Sequence, residues 1–320
     1  MKLLTCILAM GLVSIAFVGR DIGAPPDGST LPSLQTVPLP PAAQSTGAVG
    51  GPLGSTAHVV VPELTKLLTD PRWKIRLWAA DSLGNVGPEA KEAVPVLSYL
   101  TNDGEPAVRQ SAAAALGRIG PAAEKAAPAL VALLRDQTGA VRNAAVAALI
   151  QIGPAAKAVV VEATAVLDDP RWDVRRQAAD VLGGIGTPAQ DAIPALTKLL
   201  TDGEPLVRIA AATALTRVFP KPDAAVPLVV PLLRDAHPGV RVAAAELLGG
   251  IGPAAKQSIP ALTETLGDCE YGVRIAAVRA LGHMGPVANG AFPTIAALLR
   301  DDSADVRTEA LAAIGGIKGR

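Results

Sequence analysis

The sequence predicts an all-α fold, an α-solenoid of about eight two-helix repeats with a 33-residue period. Two charge ladders and one proline register carry that prediction. Asp70, Asp103, Asp136, Asp169, Asp202, Asp235, Asp268 and Asp301 stand 33 residues apart. Arg76, Arg109, Arg142, Arg175, Arg208, Arg241, Arg274 and Arg307 follow them at the same spacing. Pro62, Pro95, Pro128, Pro194, Pro227, Pro260 and Pro293 keep the register, and Val161 fills the one gap. Composition agrees: 50% of the residues are hydrophobic but only 2% are aromatic. The apolar mass is therefore Ala, Leu, Val and Ile, which suit close packing of many similar helices.

Before the repeats, "MKLLTCILAMGLVSIAFVGRD" sets one Lys ahead of an uncharged run, Leu3 to Gly19, that ends at Arg20-Asp21. That is the layout of a secretory signal peptide, with Ser14 and Ala16 as the small residues of a cleavage site. The run also reaches the lower limit of a membrane span, about 17 residues, so an uncleaved anchor is the alternative. Residues 1–19 read as signal peptide or N-terminal anchor, 20–56 as a Pro/Gly/Ser-rich disordered linker, and 57–320 as the solenoid. Export to the periplasm, cell envelope or medium is expected, with membrane contact only through the anchor. Without the leader, Cys269 is the one cysteine left, so packing rather than a disulfide must hold the fold.

Each repeat reads as two helices. The first carries segments such as "PALTKLL" (Pro194–Leu200), its Pro in the first two turns, where it kinks the helix moderately. A short turn holding the Asp follows. Pro106, Pro205 and Pro238 then occupy a favoured first-turn position of the second helix. That helix runs as in "VRNAAVAALIQIG" (Val141–Gly153) and ends at Gly-Pro in most repeats, Gly capping it and Pro starting the next.

The Asp…Val-Arg pair, the first-helix Pro and the "AxxALGxIG" run resemble the HEAT family, in its short phycocyanobilin-lyase-type HEAT-like form. The T-P-L-H signature of ankyrin and the Trp/Gly/Tyr pattern of TPR units are absent. The resemblance implies that each Asp bonds turn amides while each Arg reaches the neighbouring repeat's Asp. A pair recurring in every repeat is structural, since no site needs it eight times.

Numbering each second helix from its ladder Arg sorts fixed from variable positions. Position +3 is Ala throughout, +7 is Leu except for Ile314, and −1 and +10 are aliphatic apart from Met284. These cluster on one side and form the core, with Ala where backbones approach closest. Positions +1, +2, +5 and +9 fall opposite and vary. In the family, second helices line the concave surface, so the resemblance makes this the binding face. Its candidates are Trp78, Asp81, Arg118, Arg176, Gln177, Asp180, Ile209, Val242, Glu246, Ile275 and Arg279. Repeats 5 to 7 place Ile209, Ala210, Val242, Ala243, Ile275 and Ala276 at +1 and +2, either as an exposed apolar patch or as residues buried by the curvature of the array.

No catalytic chemistry stands out. The 29 basic and 29 acidic residues cancel, which argues against nucleic acid as a partner. His58, His237 and His283 are scattered, none followed by Glu, so no metal and no cofactor is expected. No phosphate loop or nucleophile elbow occurs. The expected function is a non-catalytic scaffold that binds a protein or peptide along its concave face. A lyase-like binder of a tetrapyrrole or other small molecule is one alternative, and a structural spacer of the cell envelope is another.

"DPRW" at Asp70–Trp73 recurs at Asp169–Trp172, 99 residues on, and "DGEP", "LLRD" and "GPAAK" recur at the same distance. Repeats 1 to 3 thus match repeats 4 to 6 as a duplicated cassette. Trp73, Trp172 and Tyr271 leave an aromatic in every third inter-helix turn, a column read as turn packing or as an edge contact.

Overall fold

The computed structural model describes residues 57–153 and 157–317, without the side chains of residues 157 and 158. The leader expected at 1–19 and the linker at 20–56 lie outside the described residues. Sixteen α-helical segments and no strand occur among the described residues. They form eight pairs: α1 (Ala57–Leu67) with α2 (Trp73–Val86), α3 (Val94–Leu100) with α4 (Pro106–Ile119), α5 (Ala127–Ala132) with α6 (Gly139–Ile152) and α7 (Lys157–Ala165) with α8 (Trp172–Ile185). Then follow α9 (Ile193–Lys198) with α10 (Pro205–Val218), α11 (Val226–Val229) with α12 (Pro238–Ile251), α13 (Ile259–Thr265) with α14 (Tyr271–Met284) and α15 (Phe292–Ala297) with α16 (Ala304–Ile317). The first helices and the turns before them pack along one layer, the second helices along the other, and one continuous apolar core lies between.

Every second helix spans positions −3 to +10. The −1 valines of repeats 2 to 8 and the +3 alanines are buried throughout. Gly87, Gly120, Gly153, Gly186, Gly252 and Gly285 end six of these helices at φ between 62° and 75°, a region closed to most side chains. Repeat 5 has no such glycine and leaves α10 through Phe219, whose backbone is extended.

First helices depart from the sequence reading. After most Gly-Pro steps the chain makes a 3-10 segment, as at Gly87–Ala93 and Gly252–Ser258. The α-helix then restarts with the register proline second, at Pro95, Pro128, Pro194, Pro227, Pro260 and Pro293. Proline has no N–H to give to an i−4 carbonyl, so it is best tolerated where a helix begins. In these six repeats the expected mild kink is therefore a restart; in repeat 1 Pro62 stays inside α1, within its first two turns, as the sequence reading has it. In repeat 4, where Val161 stands, α7 runs through the position without a restart.

Neighbouring second helices meet through position +8 of one repeat and +6 of the next. A Cβ built on Gly84, Gly117, Gly183, Gly249 or Gly282 lies 2.7–3.1 Å from the Cα of Ala115, Ala148, Ala214, Ala280 or Ala313. Only glycine permits that approach. Gly183 and Gly249 are thus packing residues, while a Cβ on Gly250, the next residue, meets open space. Two seams lack the glycine. Between repeats 3 and 4, Ile150 faces the repeat holding Val181, and between repeats 5 and 6, Thr216 faces the repeat holding Leu247. At both seams the second helices pack less intimately than elsewhere.

Candidate functional site

The ladder is built from one repeated set of bonds. Arg76 Nε and Nη2 donate to Asp103 at 2.7 and 2.9 Å, and its Nη1 donates to the carbonyls of Asp70 and Pro71. Arg109–Asp136, Arg175–Asp202, Arg208–Asp235, Arg241–Asp268 and Arg274–Asp301 repeat this geometry. Each Asp also accepts from the backbone N–H two residues on, such as Glu105 for Asp103 and Glu204 for Asp202. The arginine thus ties its own turn to the carboxylate that shapes the next turn, a bidentate charge-assisted link. Arg76 holds the Asp103 carboxyl below its usual range. Burial pushes Asp202 and Asp268 upward, but the bonds from Arg175 and Arg241 outweigh it and both end low.

One link departs from the pattern that the family resemblance implies. Arg142 does not bond Asp169; its Nη2 lies 3.3 Å from Asp173, and its buried Nε has no partner among the described residues. Asp169 is held instead by Arg135 Nε at 2.6 Å. Arg142 keeps its bonds to the carbonyls of Asp136 and Gln137. The exchange occurs because repeat 4 offers a second carboxylate, Asp173, on the first turn of α8, and repeat 3 a second arginine, Arg135.

The ladder consumes its charges, so free chemistry must come from the variable face. Arg118, Glu246 and Arg279 are exposed there; Trp78, Asp81, Arg176 and Asp180 are half-buried. Arg118 Nη1 bonds Asn85 Oδ1 across one seam at 2.8 Å, and Arg279 pairs with Glu309 across another. Arg176 and Asp180 form an i,i+4 pair at 3.0 Å. Burial raises the Asp180 carboxyl, against the pull of Arg176 and of Arg217, which is exposed at +9 on α10.

One expectation needs correction, and one pair of alternatives is decided. Gln177 is only 2% exposed, and its Oε1 has no partner among the described residues, so it lies inside the array and not on the face. The +1 and +2 residues of repeats 5 to 7 are no open patch: Ala210 and Ala276 are buried, while Ile209 and Val242 are half-buried and packed against the core. Ile275 is half-buried as well. Lateral neighbours cover these columns, which the 100° helical rotation of one helix does not reveal.

Other candidates resolve simply. Trp73, Trp172 and Tyr271 begin α2, α8 and α14 and are 38%, 39% and 56% exposed, with Lys74 Nζ over the Trp73 ring at 5.7 Å. Cys269 is exposed, and His237 Nδ1 accepts the Gly239 N–H at the start of α12. One open groove of about 630 Å³ lies beside Cys269, but its Arg241 and Asp268 belong to the ladder and its Arg234 and Glu264 pair together. No group of three His, Cys, Asp or Glu side chains converges among the described residues.

Residues 61–150, 160–230 and 226–315 match the family model for HEAT repeats. No curated protein matches the sequence. Among solved structures, a homology model of the full-length AP-3 complex in an intermediate open conformation aligns at 16% identity and a TM-score of 0.58, over 82% of this chain and 51% of that one. Kap121p bound to Pho4p aligns at 16% identity and a TM-score of 0.50, over 81% of this chain and 38% of that one. The chain thus spans about half or less of these two neighbours. The complex of CpcE and CpcF of phycocyanin lyase from Nostoc sp. PCC7120 aligns at 24% identity over 87% of this chain and 100% of that one, with a TM-score of 0.39, too loose a fit to bear on activity.

Proposed function

We propose that this chain, which belongs to the HEAT-repeat family, is a non-catalytic scaffold that binds a protein or peptide on its second-helix face, read as the concave side. One observation carries the reading. Along eight repeats, the positions that build the array are fixed and buried, while one face of the second helices varies freely and keeps exposed charges. A polar rim around half-buried aliphatic and aromatic side chains suits a protein partner better than a small acidic ligand. Arg118, Arg217, Glu246 and Arg279 are the exposed contacts, with Trp78 as the aromatic anchor. Kap121p shares the fold and binds Pho4p in its structure; the partner of this chain remains to be chosen by its own face.

The test replaces Arg118, Arg217, Glu246 and Arg279 by Ala together, leaving the core untouched. Affinity capture with the wild type and the variant from the same extract is compared by quantitative mass spectrometry. The proposal expects a partner that the variant no longer retains. Unchanged capture, or a saturable absorbance change on titrating haem or a bilin, would overturn it in favour of another face or a pigment ligand. We propose further that residues 1–19 export the chain; N-terminal sequencing of the protein from fractionated cells tests this, and an intact cytoplasmic chain contradicts it.

A further inference from the structure

The two ends of the array are complementary. Repeat 8 has no following repeat among the described residues, and its forward flank is the surface that each earlier repeat buries. Leu299 is 40% exposed, whereas Leu68, Thr101, Leu134, Leu167, Leu200, Leu233 and Leu266, its equivalents at 33-residue steps, are all buried. Leu311, at +4 on α16, is 65% exposed, whereas at that position Ala80, Ala113, Ala179, Ala212, Ala245 and Val278 are buried and Val146 is half-buried. Between them stands Arg307. Its Nη1 bonds the carbonyls of Asp301 and Asp302 as every ladder arginine does, but it forms no ion pair among the described residues.

Repeat 1 shows the opposite flank. Ile75 at −1 is half-buried, whereas the valine at −1 is buried in each of repeats 2 to 8. Val86 at +10 is half-buried, and Trp78 stands half-buried on the same helix. Asp70, the first ladder carboxylate, is held by Arg72 of its own turn, which is mostly exposed. Arg72 reaches Asp70 through Nε and Nη2, both at 3.0 Å, but its guanidinium stands mostly in water, where a second arginine can replace it. Gly315 at +8 and Ser82 at +6 are both small, as the close Gly/Ala seams require.

We propose that the chain docks head to tail on a second copy of itself, repeat 8 of one copy against repeat 1 of the next, with Arg307 reaching the second copy's Asp70. The contact continues the inter-repeat interface already made within the chain. Leu299 and Leu311 become covered as their equivalents are, and Ile75 and Val86 supply apolar surface opposite. Such a heterologous contact leaves one flank free at each end of a pair, so further copies add and the assemblies grow with concentration. Each flank thus sets apolar side chains around one ladder charge, as the seams within the chain do.

Sedimentation velocity on the full chain tests this across a concentration series. Wild type is expected to shift from monomer to dimer and longer species. Arg307→Glu and Asp70→Arg each set like charges against each other and are expected to stay monomeric at concentrations about tenfold above the wild-type transition. An equimolar mixture of the two restores opposite charges at every junction and is expected to reassemble. Leu311→Asp, at an exposed position, provides a variant whose fold is not at risk, and it too should remain monomeric. Thermal melts establish that each variant is folded. A wild type that is monomeric throughout overturns the proposal. Association that persists in Arg307→Glu and Leu311→Asp overturns it as well.

Discussion

The seam between repeats 3 and 4 and the seam between repeats 6 and 7 are copies, 99 residues apart, yet they join differently. Both have two arginines before the seam, Arg135 and Arg142 in one, Arg234 and Arg241 in the other. At the later seam Arg241 takes the ladder carboxylate Asp268 and Arg234 takes Glu264. At the earlier seam Ala165 stands in place of Glu264, and Arg135 takes the ladder carboxylate Asp169. Arg142 turns to Asp173, where the later copy has Gly272. Packing differs too, with Ile150 and Val181 where the later copy has Gly249 and Ala280. The seam between repeats 5 and 6 separates the two causes. It lacks the glycine and packs loosely, yet Arg208 still holds Asp235 at 2.7 Å. Packing therefore sets the spacing of second helices, and the carboxylates on offer set the pairing.

The largest expected effects fall on the ladder. Arg241→Ala and Arg175→Ala each leave a largely buried carboxylate unpaired, and each should cost about 3–5 kcal/mol in chemical denaturation. Arg142→Ala should cost only about 1–2 kcal/mol, because Asp173 keeps Arg171 and an unpartnered Nε is removed. Arg176→Ala breaks a partly exposed i,i+4 pair and should cost under about 1 kcal/mol. Equal losses for Arg241→Ala and Arg142→Ala would remove the distinction between the seams.

Next come the glycines. Gly249→Ile imports the earlier seam's side chain onto the Ala280 backbone, and thermal melts should show a loss of about 3 kcal/mol. Gly250→Ala, one residue on, meets open space and should stabilise by about 0.5–1 kcal/mol. Loss at both positions would contradict the open space beside Gly250 and remove the distinction between the two glycines.

Acid gives the smallest and broadest effect. Asp103, Asp136, Asp202, Asp235 and Asp268 all titrate below their ordinary value of 3.8 in the fold. A carboxyl lowered on folding contributes stability that is complete above the unfolded value and lost as pH falls through the folded one. Stability should be flat near neutrality and fall below pH 3.8, with a shallower fall in Arg241→Ala. A steep loss between neutrality and that range would place the controlling groups elsewhere.

Much of the fold was legible because the period itself is a physical statement: each repeat must bury the same positions against the next. The ladder residues, the +3 alanines and the capping glycines all follow from register alone. Three features did not follow. The restart of first helices was hidden because a proline early in a helix and one at its start look alike in sequence. The burial of Gln177, Ala210 and Ala276 depends on neighbouring helices, which a single helical wheel omits. The exchanged pairs of Arg135 and Arg142 required knowing which of two arginines reaches one aspartate. The +8/+6 pairing was in the letters, as Gly with Ala at five seams and as larger residues together at two.

The decisive measurement is the crystal structure of the double variant Ala165→Glu/Asp173→Gly, which gives the earlier seam the later seam's charges and leaves Ile150 and Val181 in place. The account predicts that Arg142 swings onto Asp169 with Nε–Oδ2 near the 2.7 Å seen between Arg241 and Asp268, while Arg135 moves to the new glutamate. An Arg142 that still stands away from Asp169 would show that packing, and not the available carboxylates, decides how the repeats are tied.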